Sequence, residues 1–90
     1  MVYVVVYDIS VERVDKVRIF LKQYLNWMQN SVLEGELTPG KLKEVELGLK
    51  KVVKESEDSV IIYSVRDENL LGKKFIGEPK SDLQPFFRVA

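Results

Sequence analysis

Asp8 is the side chain of this sequence best placed to do chemistry. It is the only acid in the otherwise apolar run Val2-Tyr3-Val4-Val5-Val6-Tyr7-Asp8-Ile9 and stands near its carboxyl end. The sequence contains no cysteine and no histidine. Disulfides, Cys/His zinc sites, thiol nucleophiles and imidazole acid–base pairs are therefore excluded. Carboxylates, hydroxyls, amines and guanidinium groups remain, and with those groups hydrolysis near neutral pH calls for a hard metal ion such as Mg²⁺. A second role is open to Asp8, since an acid after a strand can accept hydrogen bonds from turn amides ahead of a helix. Ser10 and Ser31 offer hydroxyls near the same end; as residue types they also suit a helix cap and a polar strand position. Tyr7 alternates with Asp8 and belongs to the opposite, core-facing side if the strand is regular.

The elements that must hold Asp8 are legible in order. The run Val2 to Ile9 is short and rich in β-branched and aromatic residues, which reads as a strand apolar on both faces. Ser10 then caps a helix with apolar positions Val14, Val17, Phe20, Leu21, Tyr24, Leu25 and Met28, while Arg13, Lys16 and Lys22 fall mostly on its other side. A second extended stretch runs from Trp27 to Leu37. Its polar centre and Gly35 predict one bent strand or two short ones. Thr38-Pro39 starts a second helix, with Thr38 as cap and proline at the first helical position. Its apolar stripe is Leu42, Val45, Leu49, Val52 and Val53, and Lys43, Lys50 and Lys54 form an outward basic row. Glu46 and Lys50 have the spacing of a helical ion pair. Ser59 to Val65 is a third two-sided strand. Residues 73–90 read as a short edge strand, Lys73 to Gly77, followed by an apolar docking tail through Phe86 and Phe87.

Ninety residues make a single domain, and the 46% hydrophobic content is ordinary for a globular protein. With the middle stretch counted as two strands, the order is the βαββαβ pattern of an α+β, ferredoxin-like sandwich. Two helices cover only one face of such a sheet. The valines and isoleucines of the other face then form an apolar patch, whose simplest cover is a second copy related by two-fold symmetry. A homodimer is expected. No apolar segment approaches the roughly 20 residues that cross a bilayer, and the first residues lack the basic leader and cleavage site of a signal peptide. The expected location is the cytoplasm. Lys and Arg number 14, as do Asp and Glu, so nucleic-acid binding would require basic residues gathered on one surface.

Val5-Val6-Tyr7-Asp8-Ile9-Ser10, the block Met28-Gln29-Asn30-Ser31-Val32-Leu33-Glu34-Gly35-Glu36-Leu37 and the strand Asp58-Ser59-Val60-Ile61-Ile62-Tyr63 together resemble the CRISPR-associated protein 2 family. The resemblance covers nearly the whole chain in the right order. It implies a ferredoxin-like homodimer that pairs with the CRISPR integrase, protein 1, and holds duplex DNA during spacer acquisition. It also implies a metal-dependent endonuclease acting on RNA or DNA, in which Asp8 of both protomers bridges one Mg²⁺ or another divalent cation such as Mn²⁺. One carboxylate alone makes a poor Mg²⁺ site, and two with water and a substrate phosphate complete six-fold coordination. Basic residues after the first strand are usual in the family; Arg13 and Lys16 are the nearest here. Arg13, Lys16, Lys43, Lys50 and Lys54 are the candidates for nucleic-acid contact, against the simpler reading of solvated helix faces. The competing functions are a DNA-binding adaptor dimer that does not need Asp8, and a small regulatory domain that binds a metabolite.

Overall fold

β-Branched and aromatic residues dominate the first strand, and the computed structural model, which describes residues 1–66, makes it one of the two inner strands of a sheet. The elements are β1 (Val2–Asp8), α1 (Val11–Leu21), β2 (Asn26–Gln29), β3 (Val32–Glu36), α2 (Pro39–Val52) and β4 (Ser59–Val65). The four strands form one sheet in the order β2-β3-β1-β4, and each neighbouring pair is antiparallel. This is the expected ferredoxin-like βαββαβ arrangement. The proposed edge strand at Lys73–Gly77 and the tail through Phe86 and Phe87 lie outside the described residues.

Strand alternation divides β1 between two environments. Tyr3, Val5 and Tyr7 face the helices and share a core with Val17 and Leu21 of α1, Leu33 of β3, and Val45 and Leu49 of α2. Val5, Val17, Leu21, Leu33 and Val45 are wholly inaccessible, and burial of each such aliphatic side chain contributes about 1.5–3 kcal/mol. The alternate residues Val4, Val6 and Asp8 point to the other face. There Val4 is opposite Tyr63 and Val6 is opposite Ile61. Ile61 and Tyr63 are about half exposed, at 51% and 54%. The two-sided apolar character of β1 and β4 is thus as expected, with both helices on one side.

Close approaches account for two glycines. An added Cβ at Gly35 would lie 3.0 Å from Leu25 Cδ2 and 3.5 Å from Leu25 Cα, so the chain entering β2 can cross β3 only where a side chain is missing. At Gly48 of α2 a Cβ would overlap the Phe20 ring of α1, and the helices pack face to face at that point.

Several local expectations are corrected. α1 ends at Leu21 instead of continuing through Leu25 and Met28. Its end tightens through bonds from Gln23 N to the Phe20 carbonyl (3.2 Å) and from Tyr24 N to the Leu21 carbonyl (3.0 Å), a short-turn pattern that closes helices. Leu25 and Met28 are buried nonetheless, Met28 at a register shift in β2 between Trp27 and Gln29. Their apolar character marks burial rather than helix. The stretch after them folds as two strands, and the chain reverses at Asn30, whose φ of 39° suits asparagine in a tight turn. Gly35 lies inside β3 and is not the bend. Ser10 occupies the cap position of α1 without a side-chain capping bond; its hydroxyl donates to Glu57 Oε1 at 3.4 Å. Thr38 does cap α2, its Oγ1 accepting from Lys41 N at 3.2 Å. The i,i+3 pair Lys41–Glu44 (3.1 Å) carries the ion pairing on α2, in place of Glu46–Lys50.

Candidate functional site

Asp8 is the last residue of β1, and its side chain leaves the sheet on the face away from the helices. It is exposed. Among the described residues its carboxylate has no hydrogen bond or ion pair. Its partner across β4 is Ser59, and directly opposite residues project to the same side with Cβ atoms roughly 5 Å apart. A carboxylate and a hydroxyl therefore stand side by side at the end of the open face, beside the half-exposed apolar patch of Ile61 and Tyr63.

Tyr7, one residue earlier, is buried in the core. Its hydroxyl donates to the Asn30 carbonyl at 3.2 Å, and burial pushes its phenol above the ordinary value of 10.0. The same carbonyl accepts from Trp27 Nε1 at 2.9 Å. Two aromatic donors thus pin the β2–β3 turn. The Trp27 ring also carries the Arg18 guanidinium at 5.2 Å and the Lys22 ammonium at 5.3 Å from its centroid, an arrangement that favours cations. Ser31 lies in the same turn, and its carbonyl accepts from Tyr7 N at 3.1 Å.

The turn-amide role considered for Asp8 belongs to Asp58. Asp58 Oδ1 accepts from Ser10 N at 2.9 Å and from Arg13 Nη2 at 3.0 Å. Its Oδ2 accepts from Arg13 Nε at 2.7 Å and from Lys54 N at 2.8 Å. The Arg13 guanidinium, helped by these backbone amides, holds the Asp58 carboxyl well below its ordinary range. Glu57 is lowered too, first by its bond from Arg13 and then by Lys54. Sequence reasoning names Asp58 only as the first residue of the block Asp58–Tyr63 and gives it no role of its own. Its partner is 45 residues away, and no local pattern announces it.

The basic candidates separate into two groups. Arg13 spends its donors inside the chain, on Asp58 and on Glu57 Oε1 at 3.0 Å. Lys54 lies beyond the end of α2, so it is not part of a helical row, and its ammonium pairs with Glu57 at 3.1 Å. Lys16, Lys43 and Lys50 are exposed and form no ion pair among the described residues. Lys43 and Lys50, two turns apart on α2, share one face of that helix. Both helices cover the sheet face opposite Asp8, so the structure does not gather these lysines around the carboxylate.

No group of three or more acidic, histidine or cysteine side chains that could hold a metal exists among the described residues. Asp8 nevertheless fits Mg²⁺ in kind. It is a hard oxygen donor, exposed and uncommitted, and Mg²⁺ is commonly held by one or two carboxylates with water and substrate phosphate supplying the rest. No helix among the described residues is long and apolar enough to cross a membrane.

Comparison with known proteins places the fold in a family. Residues 1–71 match the profile of the family described as CRISPR associated protein Cas2. The chain is 51% identical over 82 residues to the CRISPR-associated endoribonuclease Cas2 of Methanosarcina acetivorans, covering 91% of this chain and 94% of that one. It is 56% identical over 66 residues to the protein of the same name from Pyrococcus furiosus, covering 73% and 78%. Among solved structures, a crystal structure of cas2 superposes with a TM-score of 0.79 at 46% identity, covering 97% of this chain and 98% of the other. Streptococcus pyogenes Cas2 at pH 6.5 superposes with a TM-score of 0.67 at 28% identity, covering 72% and 86%. The chain belongs to the CRISPR-associated protein Cas2 family.

Proposed function

We propose that this protein acts in CRISPR spacer acquisition as a homodimer, and that it is a metal-dependent endonuclease whose acid is Asp8. The carrying observation is the Asp8 carboxylate, exposed at the end of β1 and without a hydrogen bond or ion pair among the described residues, while the structural task open to such an acid is performed by Asp58. Relatives named endoribonuclease favour RNA as the cleaved phosphodiester. The open face, with Val4, Val6, Ile61 and Tyr63, is the proposed two-fold interface. It brings two Asp8 side chains toward one axis and supplies the second carboxylate that one chain lacks.

A divalent ion at that axis would lower the pKa of a bound water and stabilise charge on the scissile phosphate. The chain's own contribution is to hold the carboxylates at fixed strand ends, where they would serve as hard oxygen donors to such an ion. Ser59 offers a neighbouring hydroxyl, and the apolar patch keeps the rest of the interface dry. Tyr7 stays in the core and takes no part.

A second role rests on a separate observation, the three exposed lysines Lys16, Lys43 and Lys50 on the helix layer, which form no ion pair among the described residues. They suit backbone contact with duplex DNA during acquisition, where the integrase is the partner. Arg13 and Lys54 contribute less, since their charges are matched within the chain. Pull-down and integration with a CRISPR integrase, protein 1, run in parallel with RNA cleavage in Mg²⁺ and in chelator, tests both roles. Capture and integration without cleavage would leave the adaptor alone; cleavage without capture would leave the nuclease alone.

A further inference from the structure

We propose that Asp58, with Arg13 as its counter-ion, is the positioning residue of the Asp8 site. This rests on the reading of Asp8 as the metal-binding acid. The Asp58 side chain is entirely inaccessible, with 0% exposure, and both oxygens accept two hydrogen bonds each. Its acceptor capacity is filled. A carboxylate withdrawn from water is retained only where charge and hydrogen bonds replace its hydration, and here a two-point guanidinium contact provides both.

What the carboxylate holds is the backbone on two sides of Asp8. Through Ser10 N it fixes the chain two residues beyond Asp8, at the entry to α1. Through its own place in the chain it fixes Ser59, the cross-strand partner of Asp8. Lys54 N ties the same carboxylate to the end of α2. Glu57 holds the outer side of Arg13 and receives the Ser10 hydroxyl, so the clamp closes from both loops. Placement of Asp8 would matter to an ion held there, because Mg²⁺ demands near-ideal octahedral geometry. Arg13, expected from sequence to touch phosphate, therefore acts on the site from inside.

The test compares Arg13→Gln and Asp58→Asn with Asp8→Asn and with Val45→Ala. Val45 is fully buried on α2, so Val45→Ala is a core-destabilised control. Full-length protein is used, with dimer mass checked by light scattering. Mn²⁺ affinity of the metal-free protein is read by electron paramagnetic resonance, and kcat and KM are read on single-stranded RNA. Arg13→Gln and Asp58→Asn should weaken Mn²⁺ binding by about 10-fold or more, the usual effect of losing a group that orients a metal ligand. kcat at fixed Mg²⁺ should fall while KM for RNA stays within about twofold, and Arg13→Lys should recover part of the loss. Val45→Ala should bind Mn²⁺ as the parent does. If Asp58→Asn does not fold, Arg13→Gln decides alone. Mn²⁺ affinity in Arg13→Gln equal to that of Val45→Ala would overturn the proposal and leave a purely structural clamp. If Asp8→Asn binds Mn²⁺ like the parent, the reading of the site fails first; if Asp8→Asn loses Mn²⁺ and Arg13→Gln does not, only the positioning role falls.

Discussion

Tyr7→Phe separates the core from the chemistry at one atom. The Tyr7 hydroxyl lies on the helix side of the sheet and donates to the Asn30 carbonyl at 3.2 Å. That carbonyl keeps its bond from Trp27 Nε1 when the hydroxyl is removed, so no buried acceptor is orphaned. The cost is one neutral hydrogen bond, about 0.5–1.5 kcal/mol. In a domain of this size each kcal/mol displaces Tm by about 4–8 °C, and scans at one fixed concentration should show the mutant lower by several degrees. The alkaline limb supplies a second reading. The folded-state pKa of Tyr7 is raised by burial, so its unfolded form loses the proton first. The contribution is whole below pH 10 and is lost as pH rises through the folded value. Tyr7→Phe should therefore lose less stability than the parent between neutral pH and pH 11. Metal-dependent cleavage should remain within about twofold. A folded Tyr7→Phe dimer with cleavage reduced by tenfold or more would refute the placement of Tyr7 outside the chemistry.

Charge placed on the open sheet face should break the dimer. Ile61→Lys combined with Tyr63→Glu leaves the helix-side core intact, and light scattering should move from twice the chain mass to one; an unchanged dimer would put the interface elsewhere. Replacing Lys16, Lys43 and Lys50 with alanine should weaken duplex binding at every sequence and reduce the salt slope by about one unit per lost phosphate contact; an unchanged slope would leave these lysines as solvated surface. Acid unfolding should depend on the Arg13 cluster. Asp58 and Glu57 have folded-state pKa values below their ordinary 3.8 and 4.5, so their stabilisation is present above those values and is lost as pH falls through the folded ones. Arg13→Gln should flatten stability against pH below about pH 5, and parallel acid limbs for mutant and parent would contradict the pairing.

The sequence reveals most where local pattern and tertiary burial agree. β1 and β4 are short, β-branched and bounded by polar residues, and Thr38-Pro39 marks the start of α2 by its own chemistry. It misleads where burial continues after an element ends: Leu25 and Met28 extend the period of α1, yet one packs over Gly35 and the other sits at a bulge. Asp8 could be singled out because a lone acid in an apolar strand is conspicuous. Asp58 could not, because its meaning lies in Ser10 and Arg13, 48 and 45 residues away and brought to it only by the antiparallel pairing of β1 with β4. The same distance explains Arg13, which reads as a free surface cation until the acids facing it across the loops are placed. Ser59, one residue on, gains interest only once its register opposite Asp8 is known.

Asp8→Asn preserves shape and removes one charge from each protomer, so single-stranded RNA cleavage by parent and mutant dimers of verified mass is the decisive comparison. Metal activation contributes several kcal/mol to such hydrolysis, and each 1.4 kcal/mol is about tenfold in rate. The parent should cleave in Mg²⁺ and not in chelator, while the mutant should remain a folded dimer with cleavage in Mg²⁺ lower by about a hundredfold or more. Cleavage by the Asp8→Asn dimer at the parent's rate would contradict the assignment of Asp8 as the metal-binding acid.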